Sequence, residues 1–146
     1  MRMRRLAMMT LGVIFAVAWA GEGIARTVVL GEFNITLLTL VSSAIPSSTP
    51  IQCSITVSVF GTGTPVTDSI IEKGTALATI SGSTASCQIL IPYRWILWDS
   101  GDTVNISYSV TATDGNGIGR TTSSSYNAIA VPANNATTTY TISTRL

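Results

Sequence analysis

Residues 51–60 read IQCSITVSVF, and this stretch decides the expected fold. Ile, Cys, Ile, Val and Val at the odd-numbered positions alternate with Gln, Ser, Thr and Ser. A period of two places one set of side chains on a buried face and the other set in water, as in a half-buried β-strand. The stretch therefore predicts a strand whose odd-numbered side chains enter a hydrophobic core.

The same alternation recurs along the chain. It is clear in residues 84–93, TASCQILIPY, and 103–112, TVNISYSVTA, and weaker in residues 137–146, TTTYTISTRL. Shorter β-branched runs at residues 26–31, 33–41, 74–81 and 125–131 predict further strands. Turn-forming stretches rich in Gly, Pro, Asn and Ser separate these runs, so the fold class predicted is all-β, an antiparallel β-sandwich of seven or eight strands.

The first 25 residues have the three parts of a helical secretory signal segment. Arg2, Arg4 and Arg5 precede an uncharged run, residues 6–20, and small residues then offer cleavage after Ala20 or Ala25. The uncharged run has 15 residues, short of the ~20 that a membrane-spanning helix needs. We therefore expect one sandwich domain over residues 26–146 that is secreted, periplasmic or at the cell surface, without membrane association after cleavage. An uncleaved membrane anchor is the alternative.

The two cysteines, Cys53 and Cys87, both follow the signal segment. In an exported chain an even pair of cysteines predicts a disulfide, and two reduced buried thiols are the alternative. Each cysteine falls on the apolar face of its predicted strand. The bridge should therefore be buried and connect the two sheets.

The composition restricts catalysis and the choice of partner. The chain contains no His, which excludes histidine triads and histidine-containing zinc sites, and bridged cysteines leave no thiol nucleophile. The motif DGNG at residues 114–117 predicts a tight hairpin and lacks the downstream acid of a calcium loop. From Arg26 onward five cations oppose six acids, so no basic patch favours nucleic acid. We expect no enzyme, no cofactor and no metal.

The candidate site is the aromatic segment ILIPYRWILWDSGD, residues 89–102. Pro92 has no N–H to donate, which indicates a strand end or an edge near it. If the strand continues, Trp95 points inward, while Arg94 and Trp98 point outward. An exposed Trp beside an Arg can contact a sugar or a protein, so the possible ligand-binding residues are Arg94, Trp98, Asp99 and Asp102. The alternatives are a Trp98 that covers the end of the sandwich and two aspartates that form a solvated turn.

Residues 27–41 are unusually apolar for a first strand. We expect an ordinary strand buried in its own sandwich. The alternative is a strand donated to a neighbouring subunit, a plan similar to that of pilins, although no pilin motif is present. The leading functional hypothesis is an exported, non-catalytic structural or adhesive protein. Its alternatives are a carbohydrate- or protein-binding module and a pilin-like subunit, with another protein, a glycan or copies of itself as partner.

Overall fold

The computed structural model describes residues 27–60, 70–97 and 101–146. The predicted signal segment, Trp98 and Asp99 lie outside these ranges. The described residues form eight strands, and the prediction of an all-β chain is confirmed. The strands are β1 (Thr27–Leu40), β2 (Gln52–Phe60), β3 (Ile70–Leu77), β4 (Thr79–Ser81), β5 (Thr84–Leu97), β6 (Thr103–Thr113), β7 (Gly119–Ala130) and β8 (Ala136–Arg145).

The strands form two four-stranded sheets. Sheet A has the order β4-β5-β1-β8, and sheet B has the order β3-β2-β6-β7. Because the apolar faces of both sheets contribute to one buried cluster, the two sheets share a single hydrophobic core. Edge strands β7 and β8 are consecutive in the chain but belong to different sheets.

The alternation predicted for β2, β5 and β6 is confirmed. Ile51, just before β2, and the odd-numbered residues of β2 from Cys53 to Val59 are all buried. In β5 the alternation continues past Pro92, with Tyr93 and Trp95 inside and Arg94 exposed. Beyond Ser86, the described residues give β5 no strand partner except β1. Pro92 therefore marks an open edge rather than a strand end.

The Cys53–Cys87 disulfide joins β2 of sheet B to β5 of sheet A. The two Cα atoms are 6.4 Å apart, and 34 positions separate the residues in sequence. Both residues are 1% exposed. The predicted buried bridge between the sheets is confirmed, and it connects the sheets near the starts of β2 and β5.

One strand pair departs from the antiparallel prediction. β8 runs parallel to β1, whereas the other strand pairs among the described residues are antiparallel. A parallel pair cannot be joined by a tight hairpin, and here β1 and β8 are far apart in sequence. The expectation of a purely antiparallel fold is wrong at this position, because alternation specifies the face of a strand and not its direction.

The first strand is continuous and lies in the interior of its sheet. Residues predicted as two short runs form the continuous strand β1, which lies between β5 and β8. Its core-facing side chains Phe33, Ile35 and Leu37 are fully buried. In the single chain, β1 is therefore an interior strand of its own sheet.

The predicted strand at residues 74–81 is divided between the two sheets. β3 ends at Leu77 in sheet B, and β4 begins at Thr79 in sheet A. Ala78 lies between them and donates its N–H to the carbonyl of Ile51 at 2.9 Å. Alternation continues through this crossing, so the sequence gives no sign of it.

In the described ranges, no helix is long and apolar enough to span a bilayer.

Candidate functional site

The predicted site around Arg94 is only partly within the described residues. Arg94 is exposed on the outer face of sheet A, opposite Leu30 of β1. The adjacent outward pair, Val28 and Ile96, is 43% exposed at both positions. Arg94 therefore borders an exposed apolar strip. Trp98 and Asp99 are not described, so their predicted role remains a prediction.

Asp102 differs from the expected solvated turn residue. It is 5% exposed and precedes β6. For Asp102 the prediction of a solvated turn is wrong, because the chain enters the core at the start of β6, where Val104 is fully buried. Its role in ligand binding remains untested.

Trp95 belongs to a row of aromatic rings in the core. Its ring stacks on Tyr93 with centroids 4.1 Å apart, and Phe33 lies 5.8 Å from it. Phe33 in turn stacks with Tyr140 of β8 at 6.2 Å. Trp95 is fully buried, which confirms its prediction as a core residue. The row connects the centre of sheet A to its β8 edge.

The carboxylate of Asp114 accepts hydrogen bonds from its own hairpin. Its Oδ1 accepts the N–H groups of Asn116 and Ile118 at 2.9 Å, and its Oδ2 accepts the Arg120 guanidinium at 2.8 and 3.0 Å. The Ile118 N–H, the Arg120 side chain and the Asn116 N–H together lower the pKa of Asp114. Asp114 therefore stabilises the β6–β7 turn. In the described part of the chain, no group of three potential metal ligands is present.

An apolar opening lies between the edge strands β7 and β8, and we call it the seam groove. Its volume is about 300 Å³. Its lining combines apolar or aromatic side chains with an amide and a hydroxyl: Ile106, Tyr126, Asn127, Ile129, Tyr140, Thr141 and Ile142. None of these described lining residues carries a charge. The groove is therefore neutral and mainly apolar, and Asn127, Thr141 and the two tyrosines are its polar or partly polar residues.

Tyr126 is the most accessible ring of the seam groove. It lies opposite the buried Ile106 and so points to the core-facing side of sheet B, yet it is 47% exposed. Its ring stacks with that of Tyr108 at 6.4 Å. Because β7 and β8 are edge strands of different sheets, core-facing side chains at this seam remain open to solvent.

A β-bulge shapes the wall next to Tyr126. The β6–β7 register shifts between Val104 and Ile106, and Ala128 adopts a φ of 58°. Its N–H donates to Asn105 Oδ1 at 3.0 Å. A positive φ is unfavourable for Ala, and bulges redirect the side chains around them. The bulge thus sets the position of Tyr126 and Asn127 at the groove.

The outer face of sheet B has a different character. A shallow depression on it is lined mainly by hydroxyl side chains of β2, β6 and β7, among them Ser54, Thr56, Ser107, Ser109, Ser123 and Ser125. Cross-strand register places several of these hydroxyls directly opposite one another, as at Ser107 and Ser125. The residues that line this depression are uncharged and mostly polar, whereas the seam groove is mainly apolar.

Sequence reasoning did not identify the seam groove. Both stretches that supply its rings, residues 125–131 and 137–146, were expected to be strands, but nothing in them shows that they become neighbouring edges of different sheets. One signal was present: Tyr126 and Tyr140 are large aromatic side chains in otherwise small, hydroxyl-rich strands.

A scan against protein-family models found no matching family, and neither the curated proteins nor the solved structures that were searched gave a significant match.

Proposed function

We propose that the protein is an exported, non-catalytic β-sandwich that acts as an adhesive module and binds a neutral glycan in the seam groove. The observation that carries this proposal is the lining of the groove. Two tyrosines, an asparagine and a threonine are among the residues that line this uncharged opening of about 300 Å³. This volume is at the lower end of the range for small-molecule clefts.

The chemistry of a sugar ring matches this lining. A sugar presents apolar C–H faces, which pack against aromatic rings, and a rim of hydroxyls, which need polar partners. Tyr126 supplies an accessible ring, and the polar residues Asn127 of β7 and Thr141 of the edge strand β8 also line the opening. The absence of charge among these lining residues favours a neutral ligand over an anionic one.

Two observations support export and a role without catalysis. A disulfide persists mainly in oxidising compartments, in agreement with the predicted signal segment. Among the described carboxylates, that of Asp114 is occupied by its own turn and Arg120, and both cysteines are bridged. We therefore propose binding rather than covalent chemistry as the activity.

The Arg94 surface is the second candidate for binding, and one observation favours it. Arg94 lies beside the exposed pair Val28 and Ile96, and a cation next to apolar side chains is a common protein-contact surface. The pilin-like alternative concerns assemblies of several chains and remains a prediction. In the single chain, the strand that would be donated, β1, pairs with β5 and β8.

A glycan array followed by titration calorimetry tests the proposal. We expect neutral glycans to bind and Tyr126→Ala to weaken the affinity by about tenfold or more, since stacking and burial on the ring are lost. Tyr126→Phe should retain most of the affinity.

Ile118→Ala, at an exposed turn residue outside the groove, is the matched control. Binding lost with Arg94→Ala but kept with Tyr126→Ala would move the function to the Arg94 surface, and no glycan binding at all would contradict the proposal.

A further inference from the structure

We propose that Asn135, in the turn before β8, is an N-glycosylation site and is the acceptor that stays accessible in the folded protein. The chain contains three N-x-Ser/Thr triplets, which begin at Asn34, Asn105 and Asn135. This triplet is the acceptor motif for N-linked glycans and is used in surface loops of secreted proteins. The inference rests on the export proposed above and not on the seam groove.

The reaction is a glycosyl transfer in which this chain is the acceptor. The donor is an oligosaccharide linked to a lipid diphosphate, held by an oligosaccharyltransferase, and the Nδ2 of Asn135 attacks C1 of its first sugar. The C1–Nδ2 bond forms, the bond from C1 to the diphosphate oxygen breaks, Nδ2 loses one proton, and the lipid diphosphate leaves. The motif also requires the hydroxyl two residues later, here that of Thr137. Both side chains must therefore be accessible together.

The Asn34 triplet lies in an interior strand. Asn34 of β1 is paired with Leu90 of β5 on one side and with Thr139 of β8 on the other. It is half-buried, and its Oδ1 accepts the Nε2 of Gln88 at 3.1 Å. Because core strands open only at a free energy close to that of global unfolding, this triplet is closed to a transferase in the folded protein.

The Asn105 triplet is closed for the same reason. β6 lies between β2 and β7, and Ser107, the third residue of the triplet, is paired with Thr56 and Ser125. Asn105 is half-buried. Its Oδ1 accepts the Ala128 N–H at 3.0 Å, so its side chain supports the bulge in β7.

The Asn135 triplet begins in an exposed turn. The Ala136 N–H donates to the Ala133 carbonyl at 3.1 Å, which closes a β-turn with Asn135 at its third position. The φ of Asn135 is 62°, a value that Asn tolerates and that this position of a type II turn requires. Asn135 and Thr137 are both exposed, and Thr137 belongs to the edge strand β8, which pairs on one side only. Access to this triplet therefore requires no opening of an interior strand.

The same turn adjoins the exposed apolar strip of sheet A. The Asn135 N–H donates to the Leu30 carbonyl at 2.7 Å, and Asn134 Oδ1 accepts the Leu30 N–H at 2.9 Å. Leu30 is exposed, as are Val28 and Ile96 next to it. A glycan is bulky and solubilising, so one attached at this turn would shield a strip that otherwise favours association. The position of Asn135 thus gives the modification a physical role.

A transfer assay on the folded protein tests the assignment. The purified protein, with its disulfide intact, is incubated with an oligosaccharyltransferase and its lipid-linked oligosaccharide, and glycopeptides are quantified by mass spectrometry. The intrinsic rate at each triplet comes from synthetic peptides of residues 30–40, 101–111 and 131–141. Relative to its own peptide, Asn135 in the folded protein should react about tenfold faster or more than Asn34 or Asn105, because interior strands must open first.

Three variants separate the motif from the turn. Asn135→Gly removes the acceptor and keeps a residue that adopts positive φ, and Thr137→Val removes the hydroxyl and keeps a β-branched strand residue. Both should unfold cooperatively and lose the glycan, whereas Thr137→Ser should retain it. Equal relative rates at the three triplets, transfer to Asn34 or Asn105 alone, or modification that persists in Thr137→Val would overturn the proposal.

The outcome is distinguishable from a failure of the proposed function. Cleavage of the predicted signal segment in cells measures export separately from the transfer rates. Glycan-array binding by Asn135→Gly should equal that of the natural protein, because residue 135 does not line the seam groove.

Discussion

Gly31 of β1 lies directly against the ring of Tyr93 on β5, its cross-strand partner. A β-carbon at residue 31 would meet the Tyr93 hydroxyl and would lie 2.6 Å from the carbonyl oxygen of Ala136 on β8. The tyrosine side chain can shift, but the backbone of β8 cannot shift without disturbing its pairing. The glycine therefore allows β1 to lie between an aromatic side chain and a parallel neighbour.

Substitution of Gly31 by Ala should lower the free energy of unfolding by about 1–3 kcal/mol, the usual cost of overpacking a filled site. Urea denaturation at neutral pH measures it. Gly119→Ala is the matched control, because a β-carbon there has no heavy atom within 4 Å. Equal unfolding midpoints for the two variants would show that β8 does not approach Gly31 this closely.

The disulfide should stabilise the protein substantially. Loss of a native bridge in a small domain costs about 2–5 kcal/mol, mainly because the unfolded chain is no longer restricted, and this bridge closes a separation of 34 residues. We expect that drop for Cys53→Ala/Cys87→Ala in denaturant unfolding. Mass spectrometry of the unreduced protein should show two hydrogens fewer than the sequence mass. Two thiols that alkylate in the unfolded, unreduced protein would contradict the bridge.

Trp95 and Trp98 should behave differently on truncation. Trp95 is fully buried against Tyr93, so Trp95→Ala should cost about 3–5 kcal/mol. Leu90→Ala, at a 55% exposed position of the same strand, should cost much less. Trp98 is predicted to be more exposed. Acrylamide quenching of variants that retain one of the two tryptophans measures this difference, and equal protection at both positions would refute it.

The Asp114 turn should make stability depend on acid pH. The pKa of Asp114 is lowered in the folded protein by the Ile118 N–H first and then by Arg120. Its contribution is therefore complete above the ordinary value of 3.8 and is lost as the pH falls through the folded pKa. Asp114→Asn should be less stable than the natural protein at pH 7, and the difference should shrink toward pH 2.

Arg120→Gln provides the comparison for this prediction. It removes the guanidinium contacts but leaves both backbone N–H donors to Asp114. Part of the acid dependence should therefore remain in this variant. A stability difference between Asp114→Asn and the natural protein that is the same at pH 2 and pH 7 would contradict the account of the turn.

Strand faces were predictable from the sequence, and sheet topology was not. Period-two patterns identified the buried residues of β2, β5 and β6 because a residue's face depends only on its own strand. Neither the parallel β1–β8 pair nor the crossing at Ala78 has a local signal, since both depend on distant segments. The burial of Asp102 was missed for the same reason. The residues around it have the composition of a turn, whereas its burial depends on how distant segments pack around the start of β6.

The candidate site was predicted less well than the fold. Arg94 was expected to be exposed, and it is, but the seam groove required knowledge of which strands form the edges of the two sheets. Tyr126 follows three consecutive serines and has no local apolar pattern around it. Its position in the groove follows from the Ala128 bulge and from the separation of β7 and β8, which only the folded chain reveals.

The most direct test of the proposed function is a chemical-shift titration of the ¹⁵N-labelled protein with a neutral glycan that binds on the array. The account predicts that the largest amide shifts occur at the seam groove, in Tyr126, Asn127 and Thr141, with little change at Arg94 or at Ser54 on the outer face of sheet B. Shifts centred on Arg94 and its β1 neighbours, or on the sheet B hydroxyls, would contradict the assignment of the groove as the binding site.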